Sequence, residues 1–134
     1  MEKNKLFLID AMAMIYRAFY AMNKSPRINS KGLDTSAAFG FFNTLLSLLK
    51  QYKPTHIGIA FDLHGPTFRH KEFADYKSNR QATPDEIRQM EPYIRDIIDA
   101  MHIPILSSEG YEADDVIGTL AKQAAKQGFE VYMV

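Results

Sequence analysis

The chain has 134 residues, 46% hydrophobic, 12% aromatic and 24% charged, the size and apolar content of one globular domain, which excludes a disordered, collagen-like or mucin-like chain. With no cysteine, disulfides, thiolate metal sites and a cysteine nucleophile are excluded, and the most apolar N-terminal stretch, Leu6 to Ile9, is cut by Asp10, well short of the ~18 residues of a membrane span. Sixteen basic and sixteen acidic residues cancel, but residues 1–80 carry a net of +6 and residues 81–134 a net of −6. A fold that joins the two halves sets a basic surface beside an acidic pocket, as a metal-dependent enzyme acting on a polyanion requires; segregated solvated faces give the same count. No secretory signal or membrane helix is visible, so a cytoplasmic protein without membrane contact is expected.

Lys5-Leu-Phe-Leu-Ile-Asp10 is a short apolar run ended by an acid, and a helical stretch, Ala13 to Met22, follows it; the pair reads as a buried strand and a helix. Ser25 to Asp34, with Pro26, Asn29, Ser30 and Gly32, is a loop dense in turn residues. Ser36 to Gln51 places Phe39, Phe42, Leu45, Leu46 and Leu49 at helical spacing, and Pro54 ends that element. Thr55 to Asp62 is a second apolar strand that again finishes in an aspartate.

Residues 63–82 lack a period, mix turn residues with basic and aromatic ones, and form too long a connection to be ordinary; a functional or mobile loop is expected. Thr83-Pro-Asp-Glu86 has the pattern of a capping box, Thr as N-cap and Pro at the first helical position, opening a helix to about Met101 that Pro92 should kink or split. Ile103 to Ser107 is a third short strand, placed near a sheet edge by Pro104. Glu112 to Gln127 is the last helix, with Val116, Ile117, Leu120 and Ala124 as its apolar face and Gly128 as its stop, and Phe129 to Val134 is a fourth strand. Strands alternating with helices imply one α/β domain over residues 1–134, a parallel twisted sheet with helices on both faces.

In such sheets the ligand site lies beyond the C-terminal ends of the strands. Asp10 and Asp62 both sit at that end, and the turn leading into the last helix brings Glu112, Asp114 and Asp115 to the same edge. Five converging carboxylates repel one another unless a cation neutralises them, and oxygen donors without His or Cys suit Mg²⁺ or Mn²⁺ better than zinc. Each acid alone has a structural explanation: acids favour the first turn of a helix, and a strand often ends in a capping Asp. Between the second strand and the third helix, Arg69, Lys71, Lys77 and Arg80 alternate with Phe68, Phe73 and Tyr76, a pattern that suits phosphates meeting cations and bases stacking on rings, or a solvated loop whose aromatics pack inward. Tyr16 and Arg17, a turn and a half beyond Asp10, are candidates to face the same crevice, though Tyr16 also suits the core. A dehydrogenase is disfavoured because no G-x-G-x-x-G follows the first strand.

Leu8-Ile-Asp10 with Tyr16-Arg17, then Phe61-Asp62, Phe68-Arg69-His70, Tyr76-Lys77 with Arg80, and Glu112-Ala-Asp-Asp115 occur in the order found in the 5′ nuclease domain of bacterial DNA polymerases I, the domain type of the flap endonucleases. The chain resembles that family over its whole length, and Lys31-Gly32 and Thr35 to Phe41 are similar to its loop and second helix. The resemblance implies a PIN-like fold and a structure-specific nuclease that removes 5′ strands or flaps in replication and repair with two magnesium ions, for which manganese substitutes. It implies that Asp10, Asp62, Glu112, Asp114 and Asp115 are metal-site carboxylates. Lys77 and Arg80 would be catalytic cations of an arch that passes the single strand, with Tyr76 and Phe68 beside the displaced nucleotide and Arg69 on a phosphate.

The family pattern continues past the fourth strand into a further aspartate pair, a final strand and a helical DNA-clamping module, followed by the polymerase. The sequence therefore reads as an N-terminal part of a bacterial, nucleoid-associated protein with an incomplete two-metal site, weakly active or inactive alone. Its apolar sheet edge after the fourth strand is expected to be shielded or paired in a homodimer. A PIN-like ribonuclease and a non-catalytic nucleic-acid-binding module are the rival readings.

Overall fold

The computed structural model describes residues 4–22, 24–62, 84–108 and 111–134. In chain order these form β1 (Lys5–Asp10), α1 (Ala11–Ala21), α2 (Ser36–Tyr52), β2 (His56–Ala60), α3 (Asp85–Ala100), β3 (Ile105–Leu106), α4 (Ala113–Lys126) and β4 (Glu130–Met133). The four strands make one wholly parallel sheet in the order β3-β2-β1-β4, with Phe7 opposite Ile57 in β2 and opposite Tyr132 in β4. β3 lies at an edge, as Pro104 suggests.

The chain steps outward from β1 through β2 to β3, then returns to the other side of β1, so strand order reverses between β1 and β4. Parallel crossovers keep one hand, and reversing direction therefore moves the connecting helix to the opposite face. The two apolar clusters follow that rule. On one face, Ile9 and Ile59 meet Ile15 of α1, Phe41 and Leu45 of α2, and Ile94 and Ile98 of α3. On the other, Leu8 and Ala60 meet Ala113 and Ile117 of α4. Alternate residues of β1 thus enter opposite clusters, and that burial on both faces is why the strand is a continuous apolar run. Each fully buried large side chain contributes about 1.5–3 kcal/mol relative to exposure.

Helix ends explain several shifts from the predicted boundaries. α1 starts at Ala11, earlier than the apolar period suggests, because Asp10 is its N-cap and accepts from the Ala13 N–H at 3.2 Å. α1 and α2 touch closely at Gly40, where a Cβ would stand 2.7 Å from the Ala18 Cβ, so only glycine fits. α3 begins at Asp85 with Pro84 outside it as N-cap, not at the first helical position, while Thr83 lies outside the described residues. Nor is α3 split at Pro92: it runs unbroken to Ala100, because Ile87, Met90, Ile94 and Ile98 bury one continuous stripe that outweighs the missing hydrogen bond. α4 ends as Gly128 predicts, with φ +90° and paired bonds from Gly128 N to Ala125 O (3.1 Å) and Phe129 N to Ala124 O (3.1 Å), a Schellman closure. Among the described residues no helix is long and apolar enough to cross a membrane.

Candidate metal and phosphodiester site

Three elements deliver acids to the C-terminal edge of the sheet. β1 ends in Asp10, beside the point where strand order reverses, and the Asp10 N–H is held by Val134 O of the neighbouring β4 segment at 3.0 Å. β2 is followed by Asp62, whose Oδ1 accepts from the Ala113 N–H at 2.6 Å and so fastens the start of α4 to the end of β2. The ring of Phe61, just before it, is buried and covered by the Arg95 guanidinium at 4.1 Å from its centroid. The N-terminus of α4 carries the other three acids. Glu112 is its buried N-cap and Asp115 its third residue; they form a reciprocal capping box in which Asp115 Oδ2 accepts from the Glu112 N–H at 3.0 Å.

Asp114, between them, is exposed and lies within hydrogen-bond reach of Asp10, with Asp62 close enough to add repulsion. Burial is the largest cause that holds Asp10 above its ordinary carboxylate value, opposed by the Ala13 N–H and reinforced by Asp114 and Asp62. Asp10, Asp62 and Asp114 therefore form one electrostatic unit. Glu112 and Asp115 spend oxygens on the α4 terminus, and among the described residues no three Asp, Glu or His side chains already stand as a closed metal cage. The capping roles thus coexist with the clustering: Asp10, Asp62, Glu112 and Asp115 each satisfy a backbone N–H with one oxygen, which fixes the direction of the other.

The donor set fits a hard divalent ion. Asp114 and Asp62 both push the Asp10 carboxyl above its ordinary value, a repulsion that a cation would relieve, and Mg²⁺ is commonly held by one or two carboxylates with waters and substrate phosphate rather than by a full protein cage. Of the other sequence candidates, Tyr16 is half-buried and packs against the larger core cluster, its ring 6.3 Å from that of Tyr20, while Arg17 is exposed on α1. Phe68, Arg69, Tyr76, Lys77 and Arg80 lie outside the described residues, as does the whole segment 63–82. Sequence reasoning missed Arg95, whose signal was only its i,i+4 spacing from Glu91 (3.6 Å), and Thr119 and Lys122, which share a helix face with Asp115 at legible spacing.

Residues 5–134 match the family model described as "5′-3′ exonuclease, N-terminal resolvase-like domain". The chain is 48% identical over 131 residues to DNA polymerase I of Bacillus subtilis, covering 97% of this chain and 14% of that protein. It is 45% identical over 133 residues to DNA polymerase I of Geobacillus stearothermophilus, covering 98% and 15%. The chain thus spans about one-seventh of the length of these relatives. Among solved structures, bacteriophage T5 5′-exonuclease with bound zinc shares the fold at a TM-score of 0.69 and 21% identity, over 97% of this chain and 48% of that one. A T5 flap endonuclease complexed with DNA and metal ions gives 0.67 and 22%, over 97% and 48%. With the acid-bearing strand ends and the Glu112-Ala-Asp-Asp115 helix start in place, the chain belongs to the 5′-3′ exonuclease family as its N-terminal, resolvase-like domain.

Proposed function

We propose that this chain carries the metal-binding side of a 5′ nuclease centre, which hydrolyses phosphodiesters at 5′ ends or flaps of DNA in a bacterial, cytoplasmic DNA polymerase I. The observation that carries this reading is the meeting of Asp10, Asp62 and Asp114 at the C-terminal edge of the sheet, in a chain of this family. Two Mg²⁺ ions, replaceable by Mn²⁺, are the proposed cofactors; when bound they lower the pKa of an attacking water and stabilise charge on the attacking and leaving oxygens. Asp10, Asp62, Glu112, Asp114 and Asp115 would hold them, directly or through water. Backbone N–H bonds hold Asp10, Asp62, Glu112 and Asp115 in place, so these four are oriented before charge develops. Lys77 and Arg80 are proposed to stabilise the reacting phosphate, with Arg69 and Arg17 on neighbouring phosphates and Phe68, Tyr76 and Tyr16 against the displaced bases.

The partner is DNA with a 5′ single strand or flap, together with the remaining domains of the polymerase. The β4 edge, with exposed Met133, is the proposed pairing edge of a homodimer; a monomeric sedimentation profile at high concentration contradicts that element alone. The test of the main reading is incubation of the protein with a 5′-flap duplex and Mn²⁺. With the two-metal site incomplete, slow cleavage at most is expected, giving 5′-phosphate products that vanish with EDTA and in Asp114→Ala and that rise when the remaining nuclease sequence is restored. A non-catalytic nucleic-acid-binding module is the second reading, favoured by the lack of a closed three-acid cage among the described residues; binding without any metal-dependent cleavage would support it.

A further inference from the structure

Beside the carboxylates, a groove of about 900 Å³ lies between β3 with the residues after it and one face of α4, a volume typical of ligand-binding clefts. One wall carries the hydroxyls of Ser107 and Ser108; the other carries Asp115, Thr119, Lys122 and Gln123, spaced so that they share a helix face. Asp114 lines one end, and because Asp114 also faces Asp10, the groove opens directly on the candidate site. Lys122 is about two helical turns from that end. The lining carries the carboxylates of Asp114 and Asp115 beside Asp10 and one ammonium, Lys122, farther along, so it suits a polyanion only with divalent cations at the first end to face the reacting phosphate. Tyr111, half-exposed, and the apolar surfaces of Ile105 and Leu106 supply area for a base to rest on.

Gly118 shapes the same wall. It lies inside α4, where glycine is destabilising relative to alanine, and it lines the groove. A Cβ at Gly40 would collide with Ala18, but a Cβ at Gly118 would meet nothing within 4 Å among the described residues. Packing among the described residues therefore does not require that glycine. What it provides is bare backbone on the groove wall, which leaves that wall shallow.

We propose that this groove is a track for a short single-stranded stretch of DNA adjoining the reacting phosphate, with Tyr111 as a stacking platform, Lys122 on a backbone phosphate and Gly118 leaving room for the strand. The inference rests on the nuclease reading above. It is tested by fluorescence anisotropy with a 5′-fluorescein oligothymidylate in Ca²⁺, alongside Mn²⁺-dependent flap cleavage, for the wild type, Gly118→Leu and Lys122→Gln. Gly118→Leu is expected to weaken binding ~10-fold with an unchanged or higher thermal midpoint. Lys122→Gln is expected to reduce the slope of log affinity against log salt by about 0.7, the loss of one phosphate contact on a single strand. Wild-type affinity and salt slope in both variants, with cleavage still dependent on Asp114, would overturn the groove and leave the nuclease reading standing. A wild-type protein that neither binds nor cuts DNA would overturn both.

Discussion

Among the described residues, α1, α2 and α3 bury Phe41, Leu45, Ile94 and Ile98 completely on one face of the sheet, whereas on the other α4 buries Ala113 and Ile117 against Leu8 and Ala60. The thick face fixes where β1 and β2 end, and so where Asp10 and Asp62 emerge. The thin face leaves the first turn of α4 accessible, with Asp114 exposed and a groove alongside. On the proposed reading, a face that admits DNA cannot be lined with close-packed leucines, and stability and chemistry would be divided between faces that share two strands.

The largest effect expected on the thin face is chemical. Asp114→Ala should cut metal-dependent cleavage by at least ~100-fold, since loss of outer-shell partners alone costs 10–100-fold, and it should leave unfolding by urea nearly unchanged. A large loss of stability there would erase the contrast between faces. On the thick face, Phe41→Ala should cost about 3–5 kcal/mol, and Ile117→Ala opposite only about 2 kcal/mol, read from urea midpoints. Equal costs would mean that α4 is as firmly packed as the other helices. Gly40→Ala should destabilise by about 1–3 kcal/mol because α1 and α2 must separate, visible as a lowered thermal midpoint.

The smallest effect is a pH dependence with a definite sign. Asp10 titrates above the ordinary aspartate value, so between that value and its raised one the folded state binds more protons than the unfolded state. Stability from this group is therefore present at low pH and is lost as pH rises through the raised value. Asp10→Asn keeps an acceptor for the Ala13 N–H and removes the charge; it should flatten that slope and make the metal-free protein more stable at neutral pH. Unfolding curves across the acid range check this, and a less stable Asp10→Asn at neutral pH would contradict it.

The strands and the edge that gathers the acids were legible because β1 and β2 are apolar runs that each end beside an aspartate, a pattern independent of tertiary detail. The start of α1 was misplaced because capping by Asp10 adds residues before the apolar period begins. Pro92 was read by its local cost, which the Ile87 to Ile98 stripe overrides through long-range packing. The acids could be assigned to one edge from sequence, but not the division of labour in which Asp62 holds Ala113 across 51 residues while Asp114 turns to Asp10, since no spacing rule encodes that contact. Arg95 over Phe61 and the groove along α4 were hidden for the same reason: each joins residues that only the completed sheet brings together.

The most direct test of the central claim is anomalous scattering from crystals of the protein soaked in Mn²⁺. The account predicts a peak among the carboxylates of Asp10, Asp62 and Asp114 that disappears in Asp114→Ala. Well-diffracting crystals with no manganese at these three residues, from a protein that nonetheless cleaves 5′-flap DNA in Mn²⁺, would contradict it.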